Sequence, residues 1–315
     1  MLILISGGAG GLGINISKTF LEDGHNVRIL DLDSPLNRKR VKGLSANAEI
    51  CWGDITQPDL VNKAMEHIDA VVHLAGIIPP LSEQDPELAN KVNVGGTQTM
   101  LAFMRKGGDN IPFVFTSSVA VFGPTPRATE LINPDRSVCN PVSIYAKTKK
   151  QAEDLIKESG IDYLIMRLTS IPYLSIRASA MKALMFTIPL RNRVEFCHPD
   201  DVALAILNAV KNFDVVKGNT LVIAGGPSQQ MVYEDMLRAV LGTIGLPIPP
   251  SNKFTEEPFE LDWYDTSKSQ ELLRYQQKTL DDYSRDLASQ FPAPFIALMR
   301  YIIGPIFGKI IMRLL

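Results

Sequence analysis

The chain has 315 residues, 45% of them hydrophobic and 21% charged, and a formal net charge of −2 at pH 7. That apolar fraction is too high for a disordered chain, and the length supports one large or two ordinary domains whose cores need neither disulfides nor a structural metal. With 32 Lys+Arg against 34 Asp+Glu, the balance argues against a general nucleic-acid binder, which needs a basic surface to displace counterions from phosphates.

The opening MLILISGGAG has a short apolar run and no basic flank, so it reads as a first strand and not as a signal peptide. Candidate strands follow at Leu2–Ser6, Val27–Leu32, Glu49–Gly53, Ala70–Leu74, Phe113–Ser117 and Tyr163–Thr169. Each is nearly continuous in Leu, Ile, Val or Phe, as expected of strands covered on both faces. Between them lie amphipathic stretches, such as Leu12, Ile16 and Phe20, and Ala152, Leu155 and Ile156. Strand–helix alternation with short loops implies right-handed crossovers and a parallel sheet. Beyond residue 170 the pattern changes, with Pro172, Pro189 and Pro199 and shorter elements. Strands are expected to return to the main sheet near Val194–Cys197 and Thr220–Ala224. The expected organisation is a dinucleotide-binding domain over 1–170, an interleaved smaller lobe over 171–290, and an apolar tail over 291–315.

The first strand runs into Gly7-Gly8-Ala9-Gly10-Gly11-Leu12-Gly13. Gly7 permits a tight turn, Gly10 lets backbone amides approach a pyrophosphate, and Gly13 allows close packing of the following helix. The N-terminus of that helix then favours the anion through its unpaired amides and dipole. Gly7, Gly10, Gly11, Leu12 and Gly13 are the candidate contacts. Asp31 lies 18 residues after Gly13, at the tip of the second strand. A carboxylate there accepts from the adenosine ribose hydroxyls and repels a 2′-phosphate, which favours NAD over NADP. The run Arg38-Lys39-Arg40 is the counter-indication, although such runs more often form a solvated face. Asp54 has two readings, acceptor for the adenine amino group or helix N-cap.

Tyr145 and Lys149 stand at i and i+4 on a predicted helix and project from one face. A phenol ionises near 10, and an adjacent ammonium is expected to bring it toward a working range. Ser117 and Ser118 end the fifth strand, where a hydroxyl can steady a substrate oxygen. One of the two is expected to be a bystander.

Taken together, the glycine loop, Asp31, Asp54-Ile55, His73-Leu74-Ala75-Gly76, Asn93-Val94-Gly95-Gly96-Thr97, Thr116-Ser117-Ser118, Tyr145xxxLys149, Arg167, His198-Pro-Asp-Asp-Val-Ala and Asp265-Thr-Ser-Lys resemble the extended short-chain dehydrogenases/reductases, in particular the NAD-dependent epimerase/dehydratase group. The resemblance runs from residue 1 to about 290. It implies a Rossmann-type doubly wound α/β fold with a smaller C-terminal substrate-binding lobe. Tyr145 would be the general acid/base, Lys149 would hold the nicotinamide ribose and tune Tyr145, and Ser118 would be the catalytic serine, with Ser117 second. Asp54, Ile55, Leu74, Ala75 and Gly76 would line the cofactor, Pro172 would begin the loop beside the nicotinamide, and Asn93 would brace the central helix. The implied activity is hydride transfer between NAD and a secondary alcohol or ketone.

Departures from the family pattern narrow this. Dehydratases carry Thr-Asp-Glu where this chain has Ser118-Val119-Ala120. Nucleotide-sugar epimerases present an Asn where this chain has Ser170, and an Arg where it has Val194, with Arg191 and Arg193 as possible substitutes out of register. Ile77-Ile78-Pro79-Pro80-Leu81 suits an apolar substrate or simply a buried loop. A 4-epimerase acting on UDP-sugars is the alternative, and a cofactor-sensing regulator on the same fold is the reading from another class. The partner resembled is a small-molecule alcohol, ketone or nucleotide sugar, and homodimers are common in this group.

No metal site is expected, since His25, His67, His73 and His198 are scattered and adjacent Cys197 and His198 form a poor chelate. Cys51, Cys139 and Cys197, far apart and odd in number, suit a reducing, cytoplasmic setting. The tail FIALMRYIIGPIFGKIIMRLL carries Arg300, Lys309 and Arg313 and a Gly304-Pro305 break, which argues against a spanning helix of about 20 apolar residues. Residues 287–315 hold a local charge of +3, leaving −5 for the remainder. Contact with a membrane surface or a partner is the expectation for this segment.

Overall fold

The structure, a computed structural model, describes residues 1–44, 46–107, 111–125, 130–172 and 184–304. Seven parallel strands form the main sheet: β1 (Leu2–Ser6), β2 (Asn26–Asp31), β3 (Ala48–Trp52), β4 (Ala70–His73), β5 (Phe113–Ser118), β6 (Tyr163–Leu168) and β8 (Thr220–Ile223). Their order is β3-β2-β1-β4-β5-β6-β8. The winding reverses between β1 and β4, and in such sheets ligands bind outside the carboxyl ends of the strands at that point.

Alternation along the strands explains their continuous apolar runs. Ile3 and Ile5 of β1 and Val27 and Ile29 of β2 face one helical layer, made by α1 (Gly11–Glu22) and α8 (Pro199–Lys211). Leu4, Leu30, Val71, Phe113 and Phe115 face the other. That second layer contains α3 (Pro58–Ala64), α6 (Gly96–Gly107) and α7 (Ile144–Lys157). The first layer includes Leu12, Ile16 and Phe20, and Ala152 and Ile156 lie in the second. The basic run Arg38–Arg40 lies in α2 (Pro35–Val41). Two short helices, α4 (Leu81–Gln84) and α5 (Pro86–Asn90), follow β4. A π-helical turn, Lys91–Gly95, joins α5 to α6.

The expected return of Val194–Cys197 to the main sheet is not what forms. β7 (Arg193–Glu195) instead pairs antiparallel with β9 (Gln230–Val232), a strand the sequence pattern did not reveal. The free edge of β6 is taken by β8, whose register runs from Ile165↔Thr220 to Leu168↔Ile223. Val194 and Phe196 are thereby released to a separate apolar cluster with Tyr233, Met236, Leu237, Phe254, Leu280 and Tyr283. A parallel bridge, Ser170↔Phe196, ties this region to the end of β6. The remaining elements are α9 (Phe213–Val216), α10 (Tyr233–Thr243), α11 (Ser267–Leu273), α12 (Leu280–Ser289) and α13 (Ala293–Leu298). Among the described residues, no helix is long and apolar enough to cross a membrane.

Candidate active site

The glycine loop joins β1 to α1 at the reversal point. Gly7 has φ +72°, and a Cβ there would lie 2.8 Å from the Ala75 amide nitrogen, so the loops after β1 and β4 meet backbone to backbone. A Cβ on Gly13 would lie 2.4 Å from the Gly7 carbonyl oxygen and 2.6 Å from the Gly8 Cα. Gly13 therefore lets α1 press closely on the loop itself. Gly10 is the N-cap of α1 and receives no side-chain cap. A Cβ on it would meet only the Gly7 oxygen, at 3.1 Å. The first amides of α1 thus adjoin a glycine-lined concavity that suits a diphosphate. Leu12 contributes only backbone there, because its side chain lies in the core.

Asp31 closes one side. Its Oδ2 accepts from the Ala9 amide at 2.9 Å, and its Oδ1 from the Leu32 amide at 2.7 Å and from Asn37 Nδ2 at 3.2 Å. Burial raises its pKa, opposed by these amides and by Arg40. Arg38 forks onto Asp33 at 2.5 and 2.6 Å and lies over the Trp52 ring. Arg40 Nη1 reaches the Ala9 carbonyl at 3.4 Å. Asp54 receives the Thr56 amide at 2.9 Å and so closes its own turn, whereas the N-cap of α3 is Gln57. Ile55 is buried against Gly96.

Beyond β4, Leu74 donates its amide to the Ser6 carbonyl. A Cβ on Gly76 would lie 3.0 Å from Asn93 Oδ1 and 3.5 Å from Lys149 Nζ. Asn93, buried in the π-turn, accepts from the Ile77 amide at 2.6 Å. It donates to the Ile77 carbonyl at 3.0 Å and to Thr148 Oγ1 at 2.9 Å. The side chain therefore staples the loop after β4 to α7. His73 is fully buried below. The Thr97 hydroxyl donates to the Asn93 carbonyl, so it accepts from His73 Nε2 at 3.0 Å, leaving Nδ1 to accept from Ser6 at 2.7 Å. Burial, with help from Lys149, lowers the pKa of this neutral imidazole to about 3.

Ser143 caps α7 by accepting the Ala146 amide at 3.1 Å, and the helix carries Tyr145 and Lys149 on one face. Lys149 is buried, donates to the Thr116 carbonyl at 2.8 Å and lies over the Phe115 ring. Burial lowers its pKa to about 8, opposed by Glu153. Its Nζ lies 6.0 Å from the Tyr145 ring centroid. The Tyr145 side chain keeps some surface in solvent, but its surroundings are dense enough to push its pKa up to about 12, with the Ser118 hydroxyl lowering it and Glu260 raising it. Burial thus dominates in the free protein, and the downward pull expected of Lys149 comes instead from the Ser118 hydroxyl.

The two serines separate cleanly. Ser117 is buried and donates to Glu153 Oε1 at 2.6 Å, and Glu153 is also gripped by Arg167 at 2.9 and 2.7 Å. Ser118 is partly exposed, accepts the Ala120 amide at 3.2 Å and stands near enough to Tyr145 for its hydroxyl to favour the phenolate. Ser118, Tyr145, Lys149, Gly76 and Asn93 therefore form one continuous set at the ends of β4 and β5. Pro172 lies two residues past the Ser170 bridge, and the loop it was expected to begin continues outside the described residues.

Two carboxylates at this site carried no sequence signal. Glu83 of α4 accepts the Ile144 and Tyr145 amides, both at 3.0 Å. Glu260 accepts the Val142 amide at 3.3 Å, the Ser143 amide at 2.9 Å and the Ser143 hydroxyl at 2.7 Å. Glu153 was findable, because it stands at i+4 from Lys149. Elsewhere, folding gathers ligating atoms of His198, Asp200 and Asp286 within 4.8 Å, a grouping invisible to local spacing. Lys278 contacts Asp200 and lies 3.6 Å from Asp286, so this group already holds its counter-charge.

A parallel doubly wound sheet with a glycine cradle at its reversal point, and with Ser118, Tyr145 and Lys149 beside it, is a Rossmann-type fold. The family model "NAD dependent epimerase/dehydratase family" matches residues 3–224, and the chain belongs to that family. D-erythronate dehydrogenase of Haemophilus influenzae is 33% identical over 183 residues, covering 54% of this chain and 55% of that one. The 3 beta-hydroxysteroid dehydrogenase/Delta 5-->4-isomerase of Mycobacterium tuberculosis is 30% identical over 172 residues, covering 52% and 44%. The chain thus spans about half the length of the curated relatives it matches. UDP-glucuronic acid 4-epimerase from Bacillus cereus, solved with UDP-glucuronic acid and NAD, superposes with a TM-score of 0.76 at 21% identity, covering 92% of this chain and 99% of that one.

Proposed function

We propose that the protein is an NAD-dependent oxidoreductase acting on a secondary alcohol or its ketone. The observation that carries this reading is the placing of Tyr145 and Lys149 one turn apart on α7, with Lys149 Nζ 6.0 Å from the Tyr145 ring centroid and Ser118 at the adjoining end of β5. The cradle of Gly7, Gly10, Gly11, Leu12 and Gly13 would hold the diphosphate, and Asp31 the adenosine ribose. Leu74, Ala75 and Gly76 would flank the nicotinamide half, with Asp54 and Ile55 toward the adenine and Pro172 at the nicotinamide loop. Bound NAD supplies the hydride acceptor or donor. Tyr145 takes the hydroxyl proton in oxidation and returns it in reduction, Ser118 steadies the substrate oxygen, and Lys149 binds the nicotinamide ribose and favours the phenolate.

UDP-sugar 4-epimerisation is the second reading. Against it, Arg193 lies over the Trp263 ring with its Nε 2.9 Å from Asp262, and Val194 is wholly buried. Arg193 is engaged inside the protein, which leaves it poorly placed to take a substrate diphosphate. The retained Ser118–Tyr145–Lys149 set likewise disfavours a cofactor sensor. NADH formation with a panel of secondary alcohols tests the proposal. Interconversion of UDP-sugars without net NADH would replace it with epimerisation, and NAD binding with neither activity would favour a sensor.

We also propose the division into 1–170, 171–290 and 291–315, a cytoplasmic setting, a homodimer, and surface contact through 295–315. Phe291 just before α13, Phe295 and Leu298 on it and Tyr301 in the turn after it are exposed, Tyr301 by 78%. The same stretch of sequence carries cations and no acid, which suits an anionic lipid surface. Deletion of 293–315 is expected to abolish flotation with anionic liposomes. Unchanged flotation and unchanged oligomer size would leave the segment to self-packing.

A further inference from the structure

We propose that Glu260, carried by the C-terminal lobe, is a positioning residue for Tyr145, latching the first turn of α7, which bears the acid/base group, to that lobe. This rests on the reading of Tyr145 given above. A helix leaves its first amides without internal partners. Here that turn is satisfied entirely by side chains. Glu83 takes the Ile144 and Tyr145 amides, Ser143 takes that of Ala146, and Glu260 takes the Ser143 and Val142 amides together with the Ser143 hydroxyl. Glu83 comes from the same half of the molecule as α7. Glu260 comes from 117 positions further along the chain.

The loop that delivers Glu260 is itself fixed. Asn192 Oδ1 accepts the Phe259 amide at 3.2 Å, and Asn192 Nδ2 donates to the Leu261 carbonyl at 3.0 Å, so one side chain brackets Glu260 on both sides. The next residue, Asp262, pairs with Arg193 at 2.9 Å. The carboxylate is thus held by the framework of the lobe and presented to the turn that bears Tyr145.

The charge of Glu260 also reaches the phenol. The groups facing Tyr145 are Lys149 on its own helix, Ser118 at the end of β5, Glu83 of α4 at its backbone amide, and Glu260 from the lobe. Of the carboxylates, Glu260 disfavours the phenolate. Removing that charge makes the phenol easier to ionise. A base that must be deprotonated then becomes active at lower pH.

The test is the pH profile of kcat/KM for NADH formation with the best alcohol of the panel, using the full chain. In Glu260→Gln, which keeps an acceptor for the amides, the rising limb is expected to move by roughly half to one unit toward acid, with KM for NAD unchanged. In Glu260→Asp the limb should return toward the wild-type position. In Glu260→Ala, which loses the latch, kcat should fall about tenfold or more. If all three variants keep the wild-type limb and kcat and differ only in thermal midpoint, Glu260 is a structural cap and the inference is overturned. Tyr145→Phe is run alongside. Full turnover in that variant would sink the acid/base reading and the latch with it, whereas an inactive Tyr145→Phe with an unmoved limb in Glu260→Gln sinks the latch alone.

Discussion

Tyr145 is prepared by two opposed influences. Enclosure holds its proton on, with a pKa near the upper end at about 12, while the Ser118 hydroxyl favours the ionised form. Lys149, with its own pKa lowered to about 8 and its Nζ tied to the Thr116 carbonyl, stands on the same face one turn away. Loss of the phenolic oxygen should therefore remove proton transfer without disturbing the glycine cradle. Tyr145→Phe is expected to lower turnover by roughly a hundred- to ten-thousandfold. NAD affinity, read by fluorescence titration, should stay at the wild-type value. Near-normal turnover would reassign the proton to another group. Adjacent Ser117 shows why residue type alone could not choose between the serines. Both end the same strand, and only the Glu153–Arg167 pair, formed across α7 and β6, commits Ser117 to the interior.

At the scale of elements, the loop between β1 and α1 depends on the absence of two side chains for different reasons. At Gly13 the obstacle to a methyl group is backbone on both sides, at 2.4 and 2.6 Å, and backbone cannot step aside as a flexible side chain would. At Gly10 only the Gly7 carbonyl oxygen lies close, at 3.1 Å, and the rest is open, so a methyl there would occupy mainly ligand space. Gly13→Ala should accordingly lose about 1–3 kcal/mol of stability along with NAD binding, as overpacked sites do. Gly10→Ala, with a single backbone contact at 3.1 Å, should lose much less stability than Gly13→Ala and still lose NAD affinity. Equal losses of stability in the two variants would contradict this division. These elements were legible because their signals are local: a glycine string after an apolar run, a carboxylate at a strand tip, an i,i+4 pair on a helix. What was not legible depends on distant partners. β9 has no apolar signature of its own, and β7 leaves the main sheet because β8 occupies the edge of β6. Glu83 and Glu260 became site residues only when α4 and the Asn192-held loop met the start of α7.

Across the whole molecule, burial has shifted titrating groups in opposite directions, and their effects on stability oppose each other. His73 has its pKa lowered from 6.5 to about 3, so unfolding takes up a proton there. Its contribution is complete above about 6.5 and is lost as pH falls. Glu195 is raised from 4.5 to about 7 by burial, although it accepts from the Tyr264 and Gly226 amides and from Gln230. Asp201 is raised from 3.8 to about 6. Unfolding releases protons from these two, so their contribution is complete at low pH and is lost as pH rises toward their folded values. Between about pH 5 and 6.5 the slopes of His73 and Glu195 offset each other. Glu195→Gln removes one arm while keeping an oxygen for the Tyr264 and Gly226 amides. Its unfolding free energy should then rise more steeply with pH across that window than the wild type's, by up to about 1.4 kcal/mol per pH unit for one proton. Denaturant melts at both ends of the window measure this directly. Parallel pH dependences for the two proteins would mean that Glu195 ionises normally despite its burial.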